Sequence, residues 1–303
     1  MVTLAACTLP TEPTAPTAPA APTAPTAPPS TQGVLCTLSG NVHNPDPSVQ
    51  RTAHYRWTCS EGVRQLVANG VPDHAVGRFP GPGNPHPIGA VDTRAAYPLQ
   101  PVPGTRPTPV VTAGYALNGV KLEPATAGTC DDSGRDCRMA RSSHPWHLEA
   151  LGQSAFNFGT DDSNGHVQPS GAYHYHGVPE RLLAARSTGP TAMTLVAWAP
   201  DGHPIYARYG HQSAHDASSP TVAMRPSYRL KATPDPGRPA VAQFAMGTFT
   251  QDYAYQPGSG DLDACNGRTG VTPEFPQGTY HYLITDAFPF IGRCVQGVAA
   301  SRR

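Results

Sequence analysis

Charge is scarce in this chain of 303 residues: Asp, Glu, Lys and Arg make up 14%, and 21 basic side chains balance 21 acidic ones. With no net charge and no basic run, the sequence argues against a nucleic-acid partner. No apolar run reaches the roughly 20 residues that span a bilayer. A Gly-x-Ser-x-Gly elbow, a Walker-type phosphate loop and a His-Glu-x-x-His pair are all missing, so the common signatures of several hydrolase and nucleotide-binding classes do not apply. Nor does any Cys-x2-Cys occur, which disfavours a zinc-thiolate site.

What the chain does hold is proline (36), glycine (30) and histidine (13). Pro and Gly spread through turns predict a loop-rich, mainly β body (all-β or α+β), an antiparallel sandwich or barrel-like domain with short helices. Leu4-Ala5-Ala6-Cys7 has the form of a bacterial lipobox, with Cys7 the residue lipidated after cleavage. The basic and apolar regions of a signal peptide do not precede it, and the expectation is a true start further upstream. Residues 8–32 repeat Thr, Ala and Pro and predict an extended spacer. A small extension over 33–70 and a β domain over 71–303 complete the division. The implied setting is extracytoplasmic, in the cell envelope or secreted, with the membrane reached through the N-terminal lipid anchor. Six further cysteines in an exported chain predict disulfides; pairing neighbours gives Cys36–Cys59, Cys130–Cys137 and Cys265–Cys294.

Within the extension, Ala53 to Cys59 predicts a strand. Ser60 then caps a short helix with Val63, Leu66 and Val67 on one face, ended by Gly70. Val110 to Leu122 predicts a hairpin turning at Asn118-Gly119 in a two-residue type I′ turn, and Thr194 to Tyr209 a second hairpin turning at Pro200-Asp201-Gly202. Trp146 to Leu151 predicts a helical turn, Pro179 to Arg186 a short helix with Pro at its start, and Phe244 to Tyr255 a strand.

The chemistry concentrates in Ala172 to His176. On a strand, His174 and His176 share one face while Tyr173 and Tyr175 point to the other. That spacing sets two imidazoles roughly 6.5–7 Å apart at Cα, near enough to share one metal ion. Pro169-x-Gly171-x-Tyr173-His174-Tyr175 is echoed by Pro276-x-Gly278-x-Tyr280-His281-Tyr282. If the two equivalent strands pair, His281 joins His174 and His176 as third ligand, with His166 as a fourth or a supporting partner. Glu149, Asp161, Asp162 or Glu180 would add an oxygen. Such an imidazole-rich set suits copper or zinc, and a carboxylate would tilt it toward iron or manganese. The competing reading is a hydrogen-bonded polar cluster of His and Tyr with no metal.

These residues resemble the bacterial YHYH-domain family, named for Tyr173-His174-Tyr175-His176. The resemblance runs from about Gly81 to Gly297 and takes in Gly83-Asn84-Pro85, Tyr115 to Val120, Trp146 with Glu149-Ala150-Leu151, and His166 to Gly171. Asp201 to Tyr206, Asp263 to Arg268, Gly278 to Tyr282, and Phe288-Pro289-Phe290 ahead of Cys294 extend it. The family brings no established activity, so the resemblance implies a domain and not a reaction. A weaker likeness is to cupin metal motifs: His174-x-His176-x3-Glu180 and Pro276-x-Gly278-x2-His281 match their spacing, although Gln168 stands where a Gly is expected. Three classes stay open at this level: transition-metal binding, a metal-dependent hydrolase or oxidase, and a structural or glycan-binding envelope module without metal. Whether the chain is an enzyme, and which small molecule or glycan it would take, is left undecided.

Overall fold

The computed structural model describes residues 33–299. Cys7 with its lipobox and the whole Thr-Ala-Pro tract over 8–32 lie outside the described residues. The rest is mainly β and sandwich-like, as expected, with one short α-helix, α1 (Glu180–Arg186).

The first sheet is a four-stranded antiparallel meander: β1 (Ser39–Asn44), β2 (Arg51–Ser60), β3 (Val63–Ala68) and β4 (Thr93–Pro98). β2 alternates with period two, so Ala53, Tyr55 and Trp57 are buried and His54, Arg56 and Thr58 face water. The predicted helix over 63–67 is instead β3. Glu61 and Gly62 both have positive φ (51° and 75°), and they turn the chain straight back so that Val63 pairs with Ser60. Flanked by β2 and β4, the segment gains two ladders of hydrogen bonds, more than a three-residue apolar face can offer a helix. β4 joins this sheet from beyond residue 70, so the sheet crosses the boundary drawn there from sequence.

The second sheet has eight strands. In chain order they are β5 (Gly114–Ala116), β6 (Lys121–Leu122), β7 (Gly165–Val167), β8 (Tyr173–Tyr175), β9 (Thr194–Trp198), β10 (Pro204–Ala207), β11 (Gly267–Gly270) and β12 (Thr279–Ile284). Across the sheet they run β7-β8-β6-β5-β9-β10-β12-β11. Both faces are buried. Tyr282 and Ile284 join a core with Leu122, Tyr173, Tyr175, Val196 and Ile205. Leu283, between them, joins another with Leu117, Leu195, Trp198 and Tyr206, closed by Tyr55, Trp57, Leu66 and Tyr97 of the first sheet. The Trp57 indole donates to the Leu117 carbonyl at 3.0 Å, and the buried Arg64 guanidinium lies 3.6 Å over the Trp198 ring. Both contacts fasten the two sheets together.

The first hairpin forms where expected but not through a two-residue turn. Only Gly119 is left-handed (φ 81°), and Ala116 N–H donates to Val120 across a three-residue loop. Trp146–His147 is a strand beside Thr129–Cys130, not a helical turn. Of Phe244 to Tyr255 only Tyr253–Tyr255 is a strand. Ahead of it the buried Asp252 carboxylate takes Gly247 N–H, Phe249 N–H and the Arg238 guanidinium, which holds an irregular loop that a regular strand would have to break. Disulfides join Cys36–Cys59, Cys130–Cys137 and Cys265–Cys294.

Candidate metal centre

β7 and β8 form a tight antiparallel pair in which His166 lies directly across from His174. Tyr173 and Tyr175 turn into the core, so His174 and His176 emerge on the opposite face. His166 completes a triangle of rings with centroids 4.6, 4.7 and 4.7 Å apart. One ligand atom from each histidine falls within 4.8 Å of the others. His174 and His176 are 2% and 4% exposed, while His166 is half-buried and forms the open edge.

Each imidazole is tied back by the main chain. His166 Nδ1 donates to the Phe158 carbonyl at 2.7 Å and His174 Nδ1 to the Ala172 carbonyl at 3.2 Å. The His176 ring has the Glu123 backbone as partner. A nitrogen that donates to a carbonyl carries the proton, which in His166 and His174 leaves Nε2 as a lone pair. His166 Nε2 and His176 Nε2 face one another at 3.0 Å. Burial, ahead of every other cause, pushes all three imidazoles below their usual range, and the neighbouring histidines push His174 and His176 further. At neutral pH the three rings are uncharged and hold lone pairs in one small volume. Tetrahedral ligands at about 2.0–2.1 Å from zinc stand roughly 3.4 Å apart, close to this spacing.

His281 does not join them. Its strand, β12, lies five places from β8 in the sheet, about 24 Å at roughly 4.8 Å per strand. The expected pairing of the two Tyr-His-Tyr strands does not occur, and the cupin-like combination of His174 with His281 falls with it. The His281 ring packs on Tyr206 instead (5.5 Å). None of the carboxylates expected as oxygen ligands belongs to the cluster. Glu149 is buried against Arg293 (2.7 Å) and the Thr250 hydroxyl, and Glu180 pairs with Arg208, which also holds Asp286. Asp162 is exposed, 3.8 Å from Arg181. Asp161 is a fastener: it accepts Gly77, Ser163 and Gly165 N–H and the Tyr173 hydroxyl.

Three polar residues beside the cluster escaped the sequence reading. Lys121 lies level with His174 in the parallel pair β6–β8. Its amine reaches Gln168 (3.1 Å) and Glu123, and the Gln168 amide donates to Glu123 at 2.8 Å. Lys121 charge acts on His174 and His176, and Glu123 charge on His166. The alternation of Lys121 and Glu123 after Asn118-Gly119 was the available signal, but only the pairing of β6 with β8 gives it meaning.

Fold and site thus define a mainly β, disulfide-bearing protein with a three-histidine cluster at one end of its large sheet. The YHYH protein family model matches residues 94–297, and the chain belongs to that family. No curated protein and no solved structure matches it.

Proposed function

We propose that this protein binds one transition-metal ion through His166, His174 and His176, with zinc or copper the favoured occupant. The observation that carries this reading is the convergence of three imidazoles, two of them buried and His166 half-buried, with two Nε2 atoms 3.0 Å apart. His166 Nε2 is left as a lone pair by the bond from its Nδ1, and His176 Nε2 faces it at 3.0 Å, so a cation can take the place of the one proton held between them. Three nitrogens without a carboxylate remove the tilt toward iron and manganese that an oxygen ligand would give. In protein purified without a polyhistidine tag, metal analysis by mass spectrometry is expected to give about one equivalent, lost in the His174→Ala/His176→Ala variant. A wild-type chain that neither carries nor takes up metal sinks the proposal.

A metal-dependent hydrolase or oxidase is the second reading. Three protein ligands leave a coordination position open, and the Lys121–Glu123–Gln168 group beside the half-buried His166 supplies an acid–base partner at its rim. Turnover by the metal-loaded chain in a substrate screen separates this from binding alone.

The protein is further read as exported and held at a membrane through lipid on Cys7. Three disulfides support an oxidising compartment. No helix among the described residues is long and apolar enough to cross a membrane. Cys7→Ala is expected to move the protein from the membrane to the soluble fraction of its host; an unchanged distribution contradicts the anchor.

A further inference from the structure

We propose that the eight-stranded sheet is an internal duplication, and that its second half keeps a silenced transition-metal site of which His281 is the remaining ligand. This rests on the metal reading of the first half.

The strand order is symmetric about its middle. β7-β8-β6-β5 is mirrored by β11-β12-β10-β9, and the central strands β5 and β9 run antiparallel with Tyr115 opposite Trp198. A two-fold axis through that pair relates the halves in strand order, register and hydrogen bonds. Ala116 N–H donates to Val120 and Gly119 N–H to Ala116; Ala199 N–H donates to His203 and Gly202 N–H to Ala199. Leu122 lies level with Tyr175 in one parallel pair, and Ile205 with Tyr282 in the other. Each half carries a left-handed Asn, Asn164 (φ 56°) or Asn266 (φ 61°), whose carbonyl accepts the N–H of His176 or Leu283. Each carries an Asp three residues earlier. Asp161 takes Ser163 N–H, Gly165 N–H and the Tyr173 hydroxyl (2.8 Å), while Asp263 takes Cys265 N–H, Gly267 N–H and the Tyr280 hydroxyl (2.8 Å). Shared folding preferences of short strands do not reproduce side-chain contacts at this level.

Matched register and hydrogen bonds assign a counterpart to every ligand. His174 corresponds to His281, which also donates Nδ1 two residues back, to the Thr279 carbonyl at 3.1 Å. His166 corresponds to Arg268, directly across from His281. His176 corresponds to Leu283. The second half therefore retains one imidazole of three, fully buried, with its Nε2 lacking any hydrogen-bond partner. A buried, unpartnered imidazole nitrogen is costly. Here it stands where the first half holds its metal-facing nitrogen, while Arg268 brings a fixed positive charge to the strand opposite and Leu283 fills the third place.

Two substitutions should restore the site, and two should remove its twin. Arg268→His/Leu283→His is expected to bind two equivalents of zinc against one for wild type, and to bind one when placed in the His174→Ala/His176→Ala background. Because Leu283 is a core residue, Arg268→His alone provides a milder variant. It is expected to add one weaker site, read as an extra phase in a zinc titration. Conversely His166→Arg/His176→Leu, which copies the second half onto the first, is expected to fold with an unchanged circular dichroism spectrum and bind no zinc. The inference is overturned if the folded Arg268→His chain titrates like wild type, or if His166→Arg/His176→Leu still binds zinc. Failure of the metal reading shows separately, as a wild-type chain that takes up no zinc; zinc binding by the restored half would then stand without it.

Discussion

At Asp161 a single carboxylate gathers three backbone N–H groups and the buried Tyr173 hydroxyl, and so fixes the turn that delivers His166 to β7. Removing it leaves those donors without their acceptor. Asp161→Ala is expected to cost on the order of 3 kcal/mol in urea unfolding. It should also weaken metal binding, because His166 loses its register. Asp263 makes the equivalent bonds in the other half and also accepts from Gln296 (3.0 Å). Asp263→Ala should destabilise to a similar degree yet leave metal affinity within a few-fold of wild type. Equal loss of affinity in both variants would show that Asp161 acts through overall stability and not through His166. The three histidine positions were legible from sequence, but their ranking was not. His174 and His176 follow from strand alternation alone, whereas the place of His166 depends on which strand lies beside β8 and in what register.

At the scale of elements, local signals did well wherever local chemistry decides. Both hairpins, the short helix α1 and the central Tyr-His-Tyr strand lie where turn residues and alternation place them. β3 departs from the expected helix because Val63, Leu66 and Val67 satisfy a helical spacing, while Glu61-Gly62 and two flanking strands dictate a ladder. The same limit explains His281. A repeated motif establishes that two strands are alike, not that they touch, and strand order is set by crossovers that no short window contains. The carboxylate candidates failed for another reason. Glu149 and Glu180 meet arginines far away in sequence, Arg293 and Arg208, so their commitments are invisible along the chain.

For the whole molecule, several imidazoles are buried in uncharged form, and this ties stability to pH. Burial lowers His174, His176, His203 and His281, the last to about 3. An unfolded histidine takes up its proton near 6.5. Below that pH the unfolded chain binds protons that the folded chain refuses, so the stability these groups contribute is complete above about 6.5 and declines as pH falls toward the folded values. The metal-free protein is expected to show a urea midpoint clearly lower at about pH 5.5 than at about pH 7.5, a window above the carboxylate range. A midpoint that holds constant or rises on acidification would contradict the burial of these rings.

The central claim is that three imidazoles of one half-sheet share a single ion. Anomalous X-ray diffraction from crystals of the metal-loaded protein, collected on either side of the zinc or copper absorption edge, tests it most directly. The account predicts one anomalous peak about 2.0–2.1 Å from Nε2 of His166, His174 and His176, and none beside His281. A metal peak elsewhere in the chain, or three histidines in van der Waals contact with no peak between them, would contradict it.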